Sequence, residues 1–157
     1  MKPIKFKSRS FKDKRGYLKE ITPLKFKKKF NYSIITNSKK NVIRGMHYDK
    51  RLEEEKLVYV LNGKIVDVTV NLIKGKNFGK IYYNLMKKDE LLFIPKGFAH
   101  GYLCLGKKNT ILYLLTKKFS KKNNTGFLWN DKKFNINWKI KNPILSLKDK
   151  NLNQYIR

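Results

Sequence analysis

The 157-residue chain has one cysteine, two histidines and only 11 acidic residues against 38 lysines and arginines. Each shortage removes a class of answers. The lone Cys104 cannot close an intrachain disulfide, and in the apolar run GYLCL it reads as a small buried hydrophobe rather than a nucleophile. His47 and His100 are too few for a three-histidine metal centre, and neither belongs to a paired spacing that holds zinc. No apolar run approaches the roughly 20 residues of a membrane span, and the start MKPIKFKSRS lacks the apolar core of a signal peptide. A soluble, cytoplasmic protein without a membrane partner is the expectation. Helix-period segments with caps are nearly absent.

The scarcity of acids leaves a formal charge of +27, a field that attracts any polyanion. The lysines are nevertheless spread along the whole chain, and asparagine, isoleucine, phenylalanine and tyrosine are abundant too, as AT-rich coding produces. Zinc-finger spacing, aromatic RNA-binding motifs and heptad repeats are all missing. Compositional drift therefore accounts for the charge, and nucleic acid is not the expected partner. Attraction of a small acidic substrate is a use such a field can have.

What is present is strand. With 41% hydrophobic and 13% aromatic residues the chain suffices for one well-cored domain over residues 1–157, and is short for two. FKDKRGYLKEI reads as a turn and a short strand, and YSIITNS, VIRGMHY, KIYYNL, ELLFIP, GYLCL and ILYLLT read as further strands. Gly75, Gly79, Pro95, Gly97 and Gly106 punctuate them. Turn signals about every ten residues point to an all-β sandwich or barrel. The polar tail after residue 122 reads as loops and a short helix wrapped on it.

Residues 41–71, NVIRGMHYDKRLEEEKLVYVLNGKIVDVTVN, organise the rest. Lys56 to Leu61 and Lys64 to Leu72 flank Asn62-Gly63, the strongest short-range hairpin signal. If Leu61 pairs with Lys64, then Lys56, Val58, Val60, Ile65, Asp67 and Thr69 share one face, and Lys56 and Asp67 are diagonal neighbours at roughly 7 to 8 Å. Such a pair is either a solvated surface bridge or a buried, paired site. A histidine in an apolar strand is more often a core residue than a catalyst. The company of His47 argues otherwise, since Arg44, the expected ion pair and Tyr113 in ILYLLT are its neighbours in the pattern. Arg44 and His47, three apart, would point to opposite faces of a regular strand, so a shared site needs an irregularity, and Gly45 can supply one as a bulge.

The motifs FKDKRGYLKE, VIRGMHYD, EKLVYVLNGKIVDVTV, FIPKGFAHGY, ILYLLT, GFLWND and ILSLKD, in that order along nearly the whole chain, resemble the dTDP-4-dehydrorhamnose 3,5-epimerase family. The resemblance implies a cupin-type jelly roll with a few short peripheral helices, acting without a metal or other cofactor on a nucleotide-linked 4-keto sugar. It implies a homodimer that exchanges the N-terminal strand. His47 matches the base that removes a proton beside the C4 ketone, and Asp149 the carboxylate that orients it, which suits an imidazole of unperturbed pKa about 6.5. Lys56, with Asp67 its neighbour, matches the lysine that steadies the enolate oxygen, and a fixed donor there is commonly worth about 3 to 4 kcal/mol. Tyr113 matches the acid on the opposite face. Arg44 and His100 match diphosphate or sugar contacts, Arg15 a phosphate contact on the exchanged strand, and Glu20 and Phe119 complete the substrate-binding set; the fork of arginine suits a diphosphate.

Three departures qualify what is implied. Tyr32 and Ile34 stand where a polar pair usually helps hold the nucleotide, so the base need not be thymine. Phe119 replaces a second tyrosine, which brings epimerisation at a single carbon into view, and Asp49 stands where glutamine is common. Two substrates are therefore expected side by side, a dTDP-linked 6-deoxyhexose and a GDP-linked heptose. The other readings are a 3,4-ketoisomerase of the same fold and a non-catalytic jelly roll that binds sugar nucleotides or nucleic acid.

Overall fold

The computed structural model describes residues 1–21, 30–118, 120 and 122–156. Its strands are β1 (Ile4–Lys7), β2 (Arg9–Asp13), β3 (Gly16–Glu20), β4 (Tyr32–Lys39), β5 (Ile43–Asp49), β6 (Lys56–Asn62), β7 (Lys64–Asn71), β8 (Ile81–Lys87), β9 (Glu90–Ile94), β10 (Phe98–Cys104), β11 (Lys108–Leu115) and β12 (Asn124–Gly126). One helix, α1 (Leu147–Lys150), follows. Two antiparallel five-stranded sheets, ordered β1-β9-β6-β11-β4 and β12-β5-β10-β7-β8, face one another, and β2 and β3 form a separate ribbon. This is the expected all-β jelly roll, with one short helix among the described residues rather than a few.

The space between the sheets is filled from both sides. Val58 and Val60 of β6, Leu92 and Ile94 of β9 and Ile111 of β11 meet Ile65 of β7, Met86 of β8 and Phe98, Tyr102 and Cys104 of β10. Each such apolar side chain contributes about 1.5–3 kcal/mol when fully buried. Burial also pushes the Cys104 thiol up to about 11, which leaves it a core residue with little thiolate. The outer face of the second sheet is covered by the tail, whose Phe127, Phe134, Ile136, Trp138 and Tyr155 pack on Ile43, Met46, Val68 and Val70. Chain 127–155 is thus a strap lying beside β5, to which Val42 and Ile144 link it by a parallel bridge.

The expected hairpin is not there. Asn62 and Gly63 do turn the chain, with Gly63 at φ +94°, but they carry it from one sheet to the other. β6 lies between β9 and β11, and β7 between β10 and β8, so Leu61 and Lys64 are not ladder partners. The physical reason is burial on both faces: Leu57 and Tyr59 are as enclosed as Val58 and Val60, and a strand buried twice belongs in the middle of a sheet. The facing of the side chains survives the correction, because Val58, Val60 and Ile65 still meet in one cluster.

Candidate active site

A cavity of about 270 Å³ opens between the sheets, lined by residues of β4, β5, β6, β10, β11 and α1. Arg44, His47, Lys56, His100, Tyr113 and Asp149 all line it. A larger groove of about 850 Å³, walled by Leu52, Leu72, Ile73, Phe78 and Tyr155, contains neither imidazole. Chemistry therefore selects the smaller space.

Arg44 and His47 reach the same cavity because β5 is irregular between them. On β10, His100 is opposite His47 and Tyr102 is opposite Arg44, so two steps on one strand span three on the other. Gly45 makes the extra step with φ +124°, a conformation glycine tolerates and other residues rarely adopt. A methyl group there would lie 2.6 Å from the Gly101 Cα and 2.8 Å from the His100 carbonyl oxygen. Gly45→Ala is expected to cost about 2 kcal/mol or more, from strain and overlap together, read as a lower denaturant midpoint with the slope unchanged.

His47 is held from across the chain. Its Nε2 lies 2.6 Å from Asp149 Oδ1, and with that nitrogen donating to a carboxylate, Nδ1 keeps the lone pair and is the basic atom. Asp149 is set by α1: Ser146 caps the helix and accepts a hydrogen bond from the Asp149 amide at 3.1 Å. Burial alone would raise the Asp149 carboxyl, but hydrogen bonds from His47, Ser146 and the Gly45 amide outweigh it and hold the group below the ordinary 3.8. A carboxyl so depressed adds stability that is complete above its unfolded value and is lost as pH falls through the folded one. Asp149→Asn should therefore flatten the fall of melting temperature with acid below about pH 4, measured against the parent by calorimetry at several pH values.

The second histidine has a carboxylate of its own. His100 Nε2 lies 2.6 Å from Asp67 Oδ2, with side chains 5% and 0% exposed. On the β7–β10 ladder Thr69 is opposite His100 and Asp67 is opposite Tyr102, so Asp67 is the diagonal neighbour of His100 rather than of Lys56. The expected Lys56–Asp67 pair is thereby corrected. Lys56 instead donates to Glu54 Oε1 at 2.9 Å, both side chains 10% exposed on the cavity wall. Glu54 went unnoticed in the sequence, although three of the 11 acidic residues stand together at positions 53–55, directly before Lys56.

Tyr113 projects from β11 in the first sheet, opposite the sheet that carries His47. Its ring meets that of His100 edge-on at 6.0 Å. Burial, with the Tyr102 phenol beside it, pushes the Tyr113 hydroxyl well above the usual phenol range, so it remains a proton donor. Arg44 Nε donates to Ser38 Oγ at 2.9 Å, which anchors the guanidinium on β4. Arg15 and Glu20 are not part of this assembly. Both sit exposed on the β2–β3 ribbon, where Arg15 pairs with Asp13 at 2.6 Å, because the ribbon has no face turned to its own cavity. Phe119 lies outside the described residues. Among the described residues no group of three or more histidine, cysteine, aspartate or glutamate side chains is placed to hold a metal.

The family model for dTDP-4-dehydrorhamnose 3,5-epimerase matches residues 3–156. The chain is 35% identical to the dTDP-4-dehydrorhamnose 3,5-epimerase of Shigella flexneri over 96% of its own length and 90% of that protein's. It is 30% identical to the Pseudomonas aeruginosa protein of the same name, over 94% of this chain and 87% of that one. Among solved structures, the Bacillus anthracis dTDP-4-dehydrorhamnose 3,5-epimerase with TDP and PPi bound superimposes with a TM-score of 0.89 at 31% identity, covering 98% of this chain and 94% of that one. The chain belongs to the dTDP-4-dehydrorhamnose 3,5-epimerase family.

Proposed function

We propose that the cavity between the sheets epimerises a nucleotide-linked 4-keto-6-deoxy sugar, with His47 as base, Asp149 as its orienting partner and Tyr113 as acid. The observation that carries this is the origin of the two groups: an imidazole paired at 2.6 Å with a carboxylate comes from one sheet, and a protonated phenol from the other. Inversion needs that arrangement. A base removes a proton on one face of the carbon beside the ketone, the charge moves to the C4 oxygen, and an acid returns a proton on the other face. Lys56, held by Glu54, is the cavity's donor for the C4 oxygen while it carries charge. Arg44 and Lys148 on the cavity wall suit a diphosphate.

The nucleotide is taken to be dTDP, as in the relatives' name. The chain works as a cytoplasmic homodimer in which the β2–β3 ribbon crosses to a second copy and carries Arg15 and Glu20 to the partner's cavity. Support comes from the ribbon itself. Phe11, Tyr17 and Leu18 are 56%, 64% and 63% exposed, and a two-stranded ribbon standing alone is marginal in water. No helix among the described residues is long and apolar enough to cross a membrane.

Incubation with dTDP-linked and GDP-linked 4-keto sugars in heavy water tests the reading. The expected result is deuterium at both C3 and C5 of the dTDP sugar, by NMR and mass spectrometry. Folded protein that exchanges neither position in any substrate would overturn it.

A further inference from the structure

The sequence spreads its lysines evenly, but the fold does not. Four connections meet at the barrel end away from the loop of residues 50–55: β4 to β5, β6 to β7, β8 to β9 and β10 to β11. Lys39 and Lys40 stand on the first, Lys64 on the second, Lys87 and Lys88 on the third, and Lys107 and Lys108 on the fourth, all seven exposed. The four connections are fastened together. Buried Asn109 accepts hydrogen bonds from the Lys64 and Gly106 amides at 3.0 and 3.1 Å and donates to the Ser38 and Gly106 carbonyls at 3.1 and 2.7 Å. The Asp89 amide donates to the Val60 carbonyl at 2.9 Å, which ties the third connection to β6. The lysines therefore sit on a fixed platform rather than on loose loops.

This arrangement works against the fold. On the ladders Lys39 is directly opposite Lys108 and Lys64 directly opposite Lys87, and like charges so placed destabilise a sheet. Among the described residues none of the seven has an ion-pair partner, and Asp89 and Glu90, the acids of the third connection, are held by Lys19 at 2.5 Å and Lys5 at 3.6 Å. Four of the 11 acidic residues, Asp49 and Glu53 to Glu55, lie at the other end instead. The build of the platform narrows what it fits. Its two rims belong to sheets about 10 Å apart. The connections are short, so none projects into a nucleic-acid groove, and they contain neither an arginine to fork onto a base edge nor an aromatic ring to stack on one. A flat array of ammonium groups matches a plane of anionic headgroups. We infer that this end of the barrel is a docking surface for a membrane leaflet rich in anionic phospholipid, held peripherally by charge. The inference stands apart from the chemistry of the cavity.

Sedimentation with vesicles of equal parts phosphatidylcholine and phosphatidylglycerol tests it. The parent should bind these and not pure phosphatidylcholine. A platform variant carries Lys39→Gln, Lys64→Gln, Lys87→Gln and Lys108→Gln. A control of the same net charge carries Lys74→Gln, Lys76→Gln, Lys80→Gln and Lys96→Gln, all exposed at the other end. A lysine near an anionic surface strengthens binding about fivefold, so the platform variant should bind on the order of 10²–10³-fold more weakly, with the control within about threefold of the parent. The platform variant should also melt no lower than the parent, because opposed like charges have been removed. Equal losses in the two variants would assign binding to net charge and overturn the inference, as would a parent that does not sediment with the anionic vesicles. A platform variant that keeps parental vesicle binding but loses duplex DNA would make the partner nucleic acid, and the membrane assignment would fall.

Discussion

His47→Ala should incorporate no solvent deuterium beside the ketone, with turnover lower by about 10²–10⁴-fold, the range ascribed to a positioned general base. Two imidazoles on the cavity wall are each paired with a carboxylate, and His47 is the accessible one, its side chain 27% exposed against 5% for His100. Lys56 is already paired with Glu54. The fold should survive. The His47 side chain is 27% exposed, and after its removal Asp149 keeps its bonds from Ser146 and the Gly45 amide. Losing one charge-assisted hydrogen bond costs about 1.5–3 kcal/mol, a shift of a few degrees in melting temperature. Mass spectrometry of recovered substrate is the check, and exchange at the parent rate would remove His47 from the role of base.

Tyr113→Phe is expected to part exchange from inversion. The substitution deletes one oxygen and leaves the ring against His100 and Tyr102. His47 can still remove and return a proton on its own face, so deuterium enters with retained configuration, while inverted product falls about 10²-fold or more. NMR of the labelled sugar distinguishes the two fates. The raised phenol adds a second test with a definite sign. Because the Tyr113 hydroxyl titrates well above 10, the parent enzyme should keep its acid, and show no alkaline loss of rate from this group, up to about pH 10. An alkaline limb near pH 8 that vanishes in Tyr113→Phe would contradict a phenol raised above its ordinary range.

Much of the architecture was legible because strands announce themselves locally. Alternation and turn residues located β4, β5 and β8 to β11 to within a few residues, and the parity conflict between Arg44 and His47 pointed to Gly45 as the site of an irregularity. Partner choice was not legible. Asn62-Gly63 carries the local signature of a hairpin, yet β6 and β7 each bury both faces and are central strands of different sheets, a competition settled by partners 27 to 59 positions away in β10 and β11. The Lys56–Asp67 pair failed with that register. The pairing of His47 with Asp149 spans 102 residues, and no periodicity within the chain encodes it; it came from resemblance to a family. Glu54 could have been noticed from the acidic run, whereas its contact with Lys56 depended on where β6 begins.

The strap has a consequence for the lifetime of activity. Asp149 is positioned by a four-residue helix and one serine cap, on a segment that contributes little to the central core between the sheets. A single helical turn has little stability of its own, and segments of this kind open with far less free energy than core strands require. Catalytic competence is accordingly a property of this turn's local opening, while Phe127, Phe134, Ile136, Trp138 and Tyr155 keep the rest of the tail on the sheet. Warming or mild denaturant would first produce an intact double-layered β scaffold that has lost its base-orienting carboxylate, an inactive form that recovers as soon as the α1 turn re-forms.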